Sequence, residues 1–228
     1  MEEEIKYNVV FSRRRSISII VRPDKSVTVR APLRTPLKTI NRFVLSKSSW
    51  IKKHIDSEPG ISLAYNNREY TDGEVFMYLG REYKLVRLHS DEYFVRLNGI
   101  EIQAGLTDPG STVMTRHLIS GWYIMKAREV FTGSLKEIIN KYSYAGFRPS
   151  GLAIRPLRSR WGSCSPQGRI TLNSELIKLD PAIINYVIIH ELCHLKYHNH
   201  GQGFHKLLGE LVPDYKLLRK ELRKYHTR

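Results

Sequence analysis

Two histidines four residues apart, with a glutamate directly after the first, give this sequence its strongest chemical signal. They lie in the run His190-Glu191-Leu192-Cys193-His194. Residues four apart lie on the same face of an α-helix, so His190 and His194 can reach one cation together. Glu191 lies about 100° further around the helix, which suits a carboxylate that acts on a metal-bound water and not on the metal itself. The spacing predicts a catalytic metal site with Glu191 as the catalytic carboxylate; the alternative is a helix with core histidines and a solvated glutamate.

A third imidazole follows a few residues later. The sequence continues as Asn199-His200-Gly201-Gln202-Gly203, and its two glycines can end the helix and bring His200 back toward the first pair. His205 is the next candidate for the third ligand, and His198 can also compete. Three neutral imidazoles and a water form the open tetrahedral site of a catalytic zinc. Zinc is expected from the ligand type, although manganese, cobalt and nickel also accept three imidazoles.

The metal helix needs a defined start and a neighbour to position it. Asp180 and Pro181 are residue types that favour the N-cap and the first position of a helix, so the helix is expected to begin there. Ahead of it, residues 152–155 and 169–173 are predicted strands. A sheet edge beside the metal helix can hold an extended substrate. Residues 204–224 are predicted to be helical, with a break at Pro213.

The remaining chain is predicted to mix strands and helices. In chain order the predictions are a β-hairpin in residues 5–32, an amphipathic helix in residues 36–55, short strands between residues 70 and 103 and a long helix in residues 112–142. The expected fold class is α+β. An N-terminal, mostly antiparallel β-rich part in residues 1–110 would precede a compact domain in residues 111–228 that carries the metal helix. The boundary is expected near residues 105–112.

The charge of the chain is strongly positive. Lysine and arginine number 37 against 22 aspartates and glutamates, a formal net charge of +15. A surplus of this size favours anionic partners such as a nucleotide, a nucleic acid or an acidic lipid. The alternative is a basic surface that serves solubility alone.

Two features favour a cytoplasmic location. There are only two cysteines, Cys164 and Cys193, which excludes a disulfide framework and fits a reducing compartment. The N-terminal Met1-Glu2-Glu3 is acidic where a signal peptide would be positively charged. No 18-residue apolar window is present, so the chain is not expected to span a membrane.

The histidine motif does not stand alone. Together with Ser159-Arg160-Trp161-Gly162-Ser163-Cys164-Ser165, it resembles the YgjP-like metal-dependent hydrolases, a metallopeptidase-like family of the zincin superfamily. The resemblance extends over nearly the whole chain. It implies a compact zincin-like domain with a small sheet, zinc ligands at His190, His194 and His200, and a catalytic carboxylate at Glu191. Where this chain has His205, the family more often has a tryptophan.

The resemblance implies a zinc-dependent hydrolase acting on peptides, while some family members are described as nucleoside triphosphate pyrophosphatases that convert UTP to UMP and diphosphate. The residues themselves bear on this choice. Arginines cluster ahead of the metal helix at positions 148, 155, 158, 160 and 169. A phosphate chain needs such fixed cations, and a peptide does not. Arg158 and Arg160 are the predicted substrate-binding residues; the alternative for them is surface solvation or a structural salt bridge to Glu175 or Glu210.

A non-catalytic nucleic-acid-binding module with a structural metal is a further alternative. It would explain the net charge of +15 without chemistry. Glu191 argues against it, because a purely structural site has no reason to place a carboxylate beside a ligand. A fourth protein ligand, supplied by His198 or His205, would favour it.

Overall fold

The computed structural model describes residues 5–21, 25–56, 61–62 and 68–226. The chain forms two compact units, Met1–Gly60 and Ile61–Arg228. Both combine strands with helices, so the predicted α+β class is confirmed. In the described ranges, no helix is both long enough and apolar enough to cross a bilayer.

The first unit is a three-stranded sheet with two helices. Its elements are β1 (Asn8–Ser12), β2 (Ser18–Val21), β3 (Val27–Pro32), α1 (Leu37–Ser46) and α2 (Ser48–Asp56). The central strand β3 is antiparallel to β2 and parallel to β1. The predicted hairpin is therefore present as β2 and β3, while its turn at residues 22–24 lies outside the described residues.

The prediction of a single helix over residues 36–55 is wrong, because the helical structure is interrupted between α1 and α2. The Ser46 hydroxyl donates to the Phe43 carbonyl at 2.8 Å. The Lys47 amide then donates to Val44, three residues back, instead of to Phe43. A serine side chain that competes for a backbone carbonyl in this way ends the regular hydrogen-bond ladder.

The second unit contains the predicted metal helix. Its elements are β4 (Ile61–Ser62), β5 (Val75–Tyr78), β6 (Arg81–His89), β7 (Phe94–Asn98), β8 (Glu101–Leu106), α3 (Thr112–Lys141), β9 (Gly151–Arg155), β10 (Gly162–Cys164), β11 (Arg169–Asn173), α4 (Pro181–Cys193), α5 (Gln202–Leu211), α6 (Tyr215–Leu222) and β12 (Tyr225–His226), with a 3₁₀ helix at Ser174–Lys178 between β11 and α4. A four-stranded sheet has the order β5-β6-β8-β7, and only β6 and β8 are parallel.

One hydrophobic core joins this sheet to the helices. Leu85 of β6 and Ile102 of β8 belong to the same buried cluster as Ile119 of α3 and Ile188 of α4. The strands expected to form an N-terminal domain thus share their core with the metal helix. Residues 105–112, where the sequence predicts a boundary, lie within the second compact unit, Ile61–Arg228.

A second, smaller sheet stands next to the metal helix. Its order is β10-β11-β9, with β11 parallel to β9 and antiparallel to β10. The strands predicted at residues 152–155 and 169–173 are confirmed as β9 and β11. β10 lies at the edge and packs against α4, so the local architecture places a strand edge beside the helix that carries the histidines.

Candidate metal centre

Most residues of the metal helix α4 are buried in the hydrophobic core. The Asp180 side chain accepts a hydrogen bond from the Ala182 amide at 2.8 Å and Pro181 occupies the first turn, as the sequence predicts. Its buried residues are Ile183, Ile184, Tyr186, Val187, Ile188, Ile189, Glu191, Leu192 and Cys193. A helix that is apolar on most faces has little freedom to rotate, so the direction of His190 is fixed by packing.

The helix ends earlier than predicted. Gly201 and Gly203 were expected to end it, but α4 stops at Cys193 and His194 forms its C-cap. A helix continued to residue 200 would place His200 about 15 Å beyond His190. The chain instead turns tightly over residues 194–197, and Gly201 becomes the N-cap of α5.

This early turn brings three imidazoles together. One nitrogen from each of His190, His194 and His200 lies within 4.8 Å of the others, and the Nε2 atoms of His190 and His200 are 3.1 Å apart. His194 donates from Nδ1 to the Tyr197 carbonyl at 2.9 Å, which leaves the lone pair on Nε2. Burial, with the neighbouring His194 and His200, lowers the pKa of His190 to about 3, so its ring is neutral. Neutral imidazoles at this separation fit a divalent cation.

Phe204 packs against all three rings. Its ring centroid is 5.0 Å from that of His190, and 4.7 Å from those of His194 and His200. It is stacked on His194 and 1% exposed. Phe204 therefore limits the rotation of each imidazole.

The two competing histidines lie outside this group. Among the described residues, the ligating group consists of His190, His194 and His200 and includes neither His198 nor His205. The ring of His205 lies 6.4 Å from that of His200 and is stacked on Tyr215.

Glu191 points toward a tight space made by the edge strand. It is 5% exposed, and a Cβ atom added to Gly162 would come within 2.6 Å of its Oε1. Burial raises the pKa of Glu191 to about 7, against a lowering effect from the charge of Arg160. In the described part of the chain, no group donates a hydrogen bond to this carboxylate.

The carboxylate and the first histidine face one cavity. Its volume is about 470 Å³, and it is lined by Trp161, Gly162, Tyr186, Val187, His190, Glu191, Arg219, Leu222, Arg223 and Tyr225. A proton acceptor and a group that can hold a cation therefore meet in a space large enough for a small molecule or part of a chain.

The predicted substrate-binding arginines do not line this cavity. Arg160 is exposed and close enough for its charge to act on Glu191, while Arg158 is exposed and has other interactions. Arg219 and Arg223, which sequence reasoning missed, do line it. Tyr186 was missed as well, although its position four residues before His190 is a usable helical signal.

A buried helix with two histidines and a glutamate, completed by a histidine from the following turn, is typical of metal-dependent hydrolases. The chain belongs to the YgjP-like family, since the model of the YgjP-like metallopeptidase domain matches residues 15–225. Membership places it among the metal-dependent hydrolases.

Two solved structures show partial similarity, both crystal structures of metallopeptidase zymogens. Jannalysin from Methanocaldococcus jannaschii is 22% identical, and the match covers 41% of this chain and 94% of that chain with a TM-score of 0.37. Abylysin from Pyrococcus abyssi is 24% identical, and the match covers 42% of this chain and 98% of that chain with a TM-score of 0.36. A search of the curated proteins finds no match to this sequence.

Proposed function

We propose that this chain is a zinc-dependent hydrolase of the metallopeptidase type. His190, His194 and His200 would hold the cation, and Glu191 would serve as general base and then as general acid. The observation that carries the proposal is that His190, one of the three grouped imidazoles, lines the same cavity as the buried carboxylate of Glu191. When bound, zinc supplies Lewis acidity, which lowers the pKa of water and stabilises negative charge on the reacting group.

Glu191 has the properties that proton transfer requires. Burial raises the pKa of its carboxyl to about 7, so the group binds a proton more tightly than an exposed glutamate does. It can take the proton of the attacking water and later give it to the leaving group. Because nothing in the described residues donates to it, the carboxylate need not break a hydrogen bond before it accepts a proton.

The edge strand supports a peptide as substrate. In the described structure, β10 pairs only with β11, so its outer edge carries free backbone donors and acceptors. An extended peptide can add to such an edge as a further strand. Gly162 lies both in this strand and against Glu191, which would bring the peptide bond near the carboxylate.

A nucleoside triphosphate is the second candidate substrate. The observation that favours it is positive charge near the carboxylate, where Arg160 acts on Glu191. Hydrolysis of UTP to UMP and diphosphate would use the same base and the same cation.

The test compares metal-loaded wild type with Glu191→Gln, which keeps the shape of the side chain but cannot accept the proton. Each protein receives unfolded casein and, in parallel, a panel of nucleoside triphosphates. We expect wild type to cleave casein and Glu191→Gln to lose the activity while retaining its metal. Release of diphosphate by wild type alone would favour the second candidate. Absence of both activities in the loaded wild type would contradict the proposal.

A further inference from the structure

Two arginines lie on one face of the last helix, α6, at its C-terminal end. Arg219 and Arg223 are four residues apart, and the Arg223 amide donates to the Arg219 carbonyl at 3.3 Å. The helical geometry of α6 thus continues through Arg223. Their side chains are neighbours on the helix surface, and both line the cavity that contains His190 and Glu191.

In the part of the chain that the structure describes, neither guanidinium has an acidic partner. Among the described residues, the ion pairs involve other arginines and lysines, and no hydrogen bond to a carboxylate satisfies Arg219 or Arg223. Both side chains are exposed and line the cavity, and their charges act on it: burial raises the pKa of Tyr186, and Arg219 and Arg223 oppose that rise. Two like charges held together repel each other, and an anion placed between them relieves the repulsion.

We propose that Arg219 and Arg223 form a subsite for an anionic group, a carboxylate or a phosphate, that the substrate carries beside the hydrolysed bond. Guanidinium groups bind both anions through paired N–H donors in a planar fork. The cavity, of about 470 Å³, has room for such a group next to Glu191. The two arginines would be specificity-determining residues, because they select the substrate by charge.

The inference rests on the proposed function, because it assumes a substrate with a bond that is hydrolysed. Anion binding at the two arginines can nevertheless be measured without catalysis. Metal-loaded Glu191→Gln is titrated calorimetrically at low ionic strength with two probes, inorganic pyrophosphate and succinate. The same titrations are made with a variant that carries Arg219→Gln and Arg223→Gln in addition to Glu191→Gln. The matched control variant carries Lys216→Gln and Lys220→Gln in addition to Glu191→Gln. These two substitutions remove two exposed charges from the same helix outside the cavity.

We expect at least one probe to bind at least about tenfold more weakly to the arginine variant than to the lysine control. Tighter binding of pyrophosphate would identify a phosphate group, and tighter binding of succinate a carboxylate. Equal weakening in both variants, or no binding of either probe, would overturn the inference. If anion binding depends on these arginines but the metal-loaded wild type hydrolyses no substrate, the proposed function is contradicted and the anion subsite is not.

Discussion

The Cα atom of Gly162 faces the carboxylate of Glu191 so closely that a Cβ atom added there would lie 2.6 Å from Oε1 and 2.8 Å from Cγ. These distances are too short for any side chain. The edge strand β10 and the metal helix α4 are therefore in contact at the point where the proposed base stands. Glycine at position 162 is what allows Glu191 to occupy its place.

We expect Gly162→Ala to displace the carboxylate and to lower the hydrolysis rate by about 100-fold, since a shift near 1 Å in a reacting group has an effect of that size. The three atoms nearest to the added methyl group all belong to Glu191, so we expect the metal content to stay unchanged. Steady-state rates and elemental analysis of the purified variant check both statements.

Gly121→Ala is the control for this substitution. Gly121 is exposed within α3, and an added Cβ would meet nothing within 4 Å. Alanine in a helix interior should raise the free energy of unfolding by about 0.5–1 kcal/mol and leave hydrolysis unchanged. Full activity in Gly162→Ala would show that the contact with Glu191 does not position it.

The local parts of this site could be predicted from sequence. The i, i+4 spacing of His190 and His194 and the Asp180 cap are properties of one helix, and both follow from helical geometry. The strands on either side of the arginine-rich stretch follow in the same way from local composition.

Features that depend on tertiary packing could not be predicted. The end of α4 at Cys193 has no glycine to mark it, and the turn that follows it brings His200 back to the histidine pair. The contact between Gly162 and Glu191 joins residues from different elements. Arg219 reaches the cavity because α6 packs on α4, which no spacing within either helix reveals.

Replacing Phe204 by leucine should loosen the imidazole group. Leucine fills less of the space between the three rings, so the histidines gain rotational freedom that metal binding must remove. We expect metal affinity to fall by about tenfold, as for other residues that orient ligands, and stability to fall by about 1 kcal/mol. Competition with a chromophoric chelator measures the first effect and chemical denaturation the second.

Phe131→Leu separates the two effects. Phe131 is fully buried in the same core but belongs to α3, away from the imidazoles. The Phe131→Leu variant should lose a similar amount of stability and keep its affinity for the metal. An equal loss of metal affinity in both variants would mean that Phe204 acts only through general stability.

Single alanine substitutions at the five nearby histidines should divide them into two classes. His190, His194 and His200 hold nitrogens within 4.8 Å of one another, so removing any one should weaken metal binding by more than about 100-fold. His198→Ala and His205→Ala should retain metal after dialysis. Metal per protein, measured by elemental analysis, decides the question; loss of metal from His205→Ala would make His205 a fourth ligand.

Lys178 should make stability depend on pH in the alkaline range. It is 2% exposed, with its Nζ 2.5 Å from Oε2 of Glu175 and 5.2 Å from the Tyr123 ring. Burial lowers its pKa from 10.5 to about 8, and Glu175 only partly opposes this. Between these two pH values the unfolded chain holds a proton that the folded protein has lost, so rising pH favours the folded state.

The stability of wild type relative to Lys178→Met should therefore increase by about 3 kcal/mol between pH 8 and pH 10.5. The comparison cancels the titration of tyrosines and other lysines, which the two proteins share. Urea denaturation at half-unit pH steps measures it, and Lys136→Met, which removes an exposed lysine, should show no such trend. A difference between wild type and Lys178→Met that stays constant across this range would mean that Lys178 keeps its ordinary pKa despite its burial.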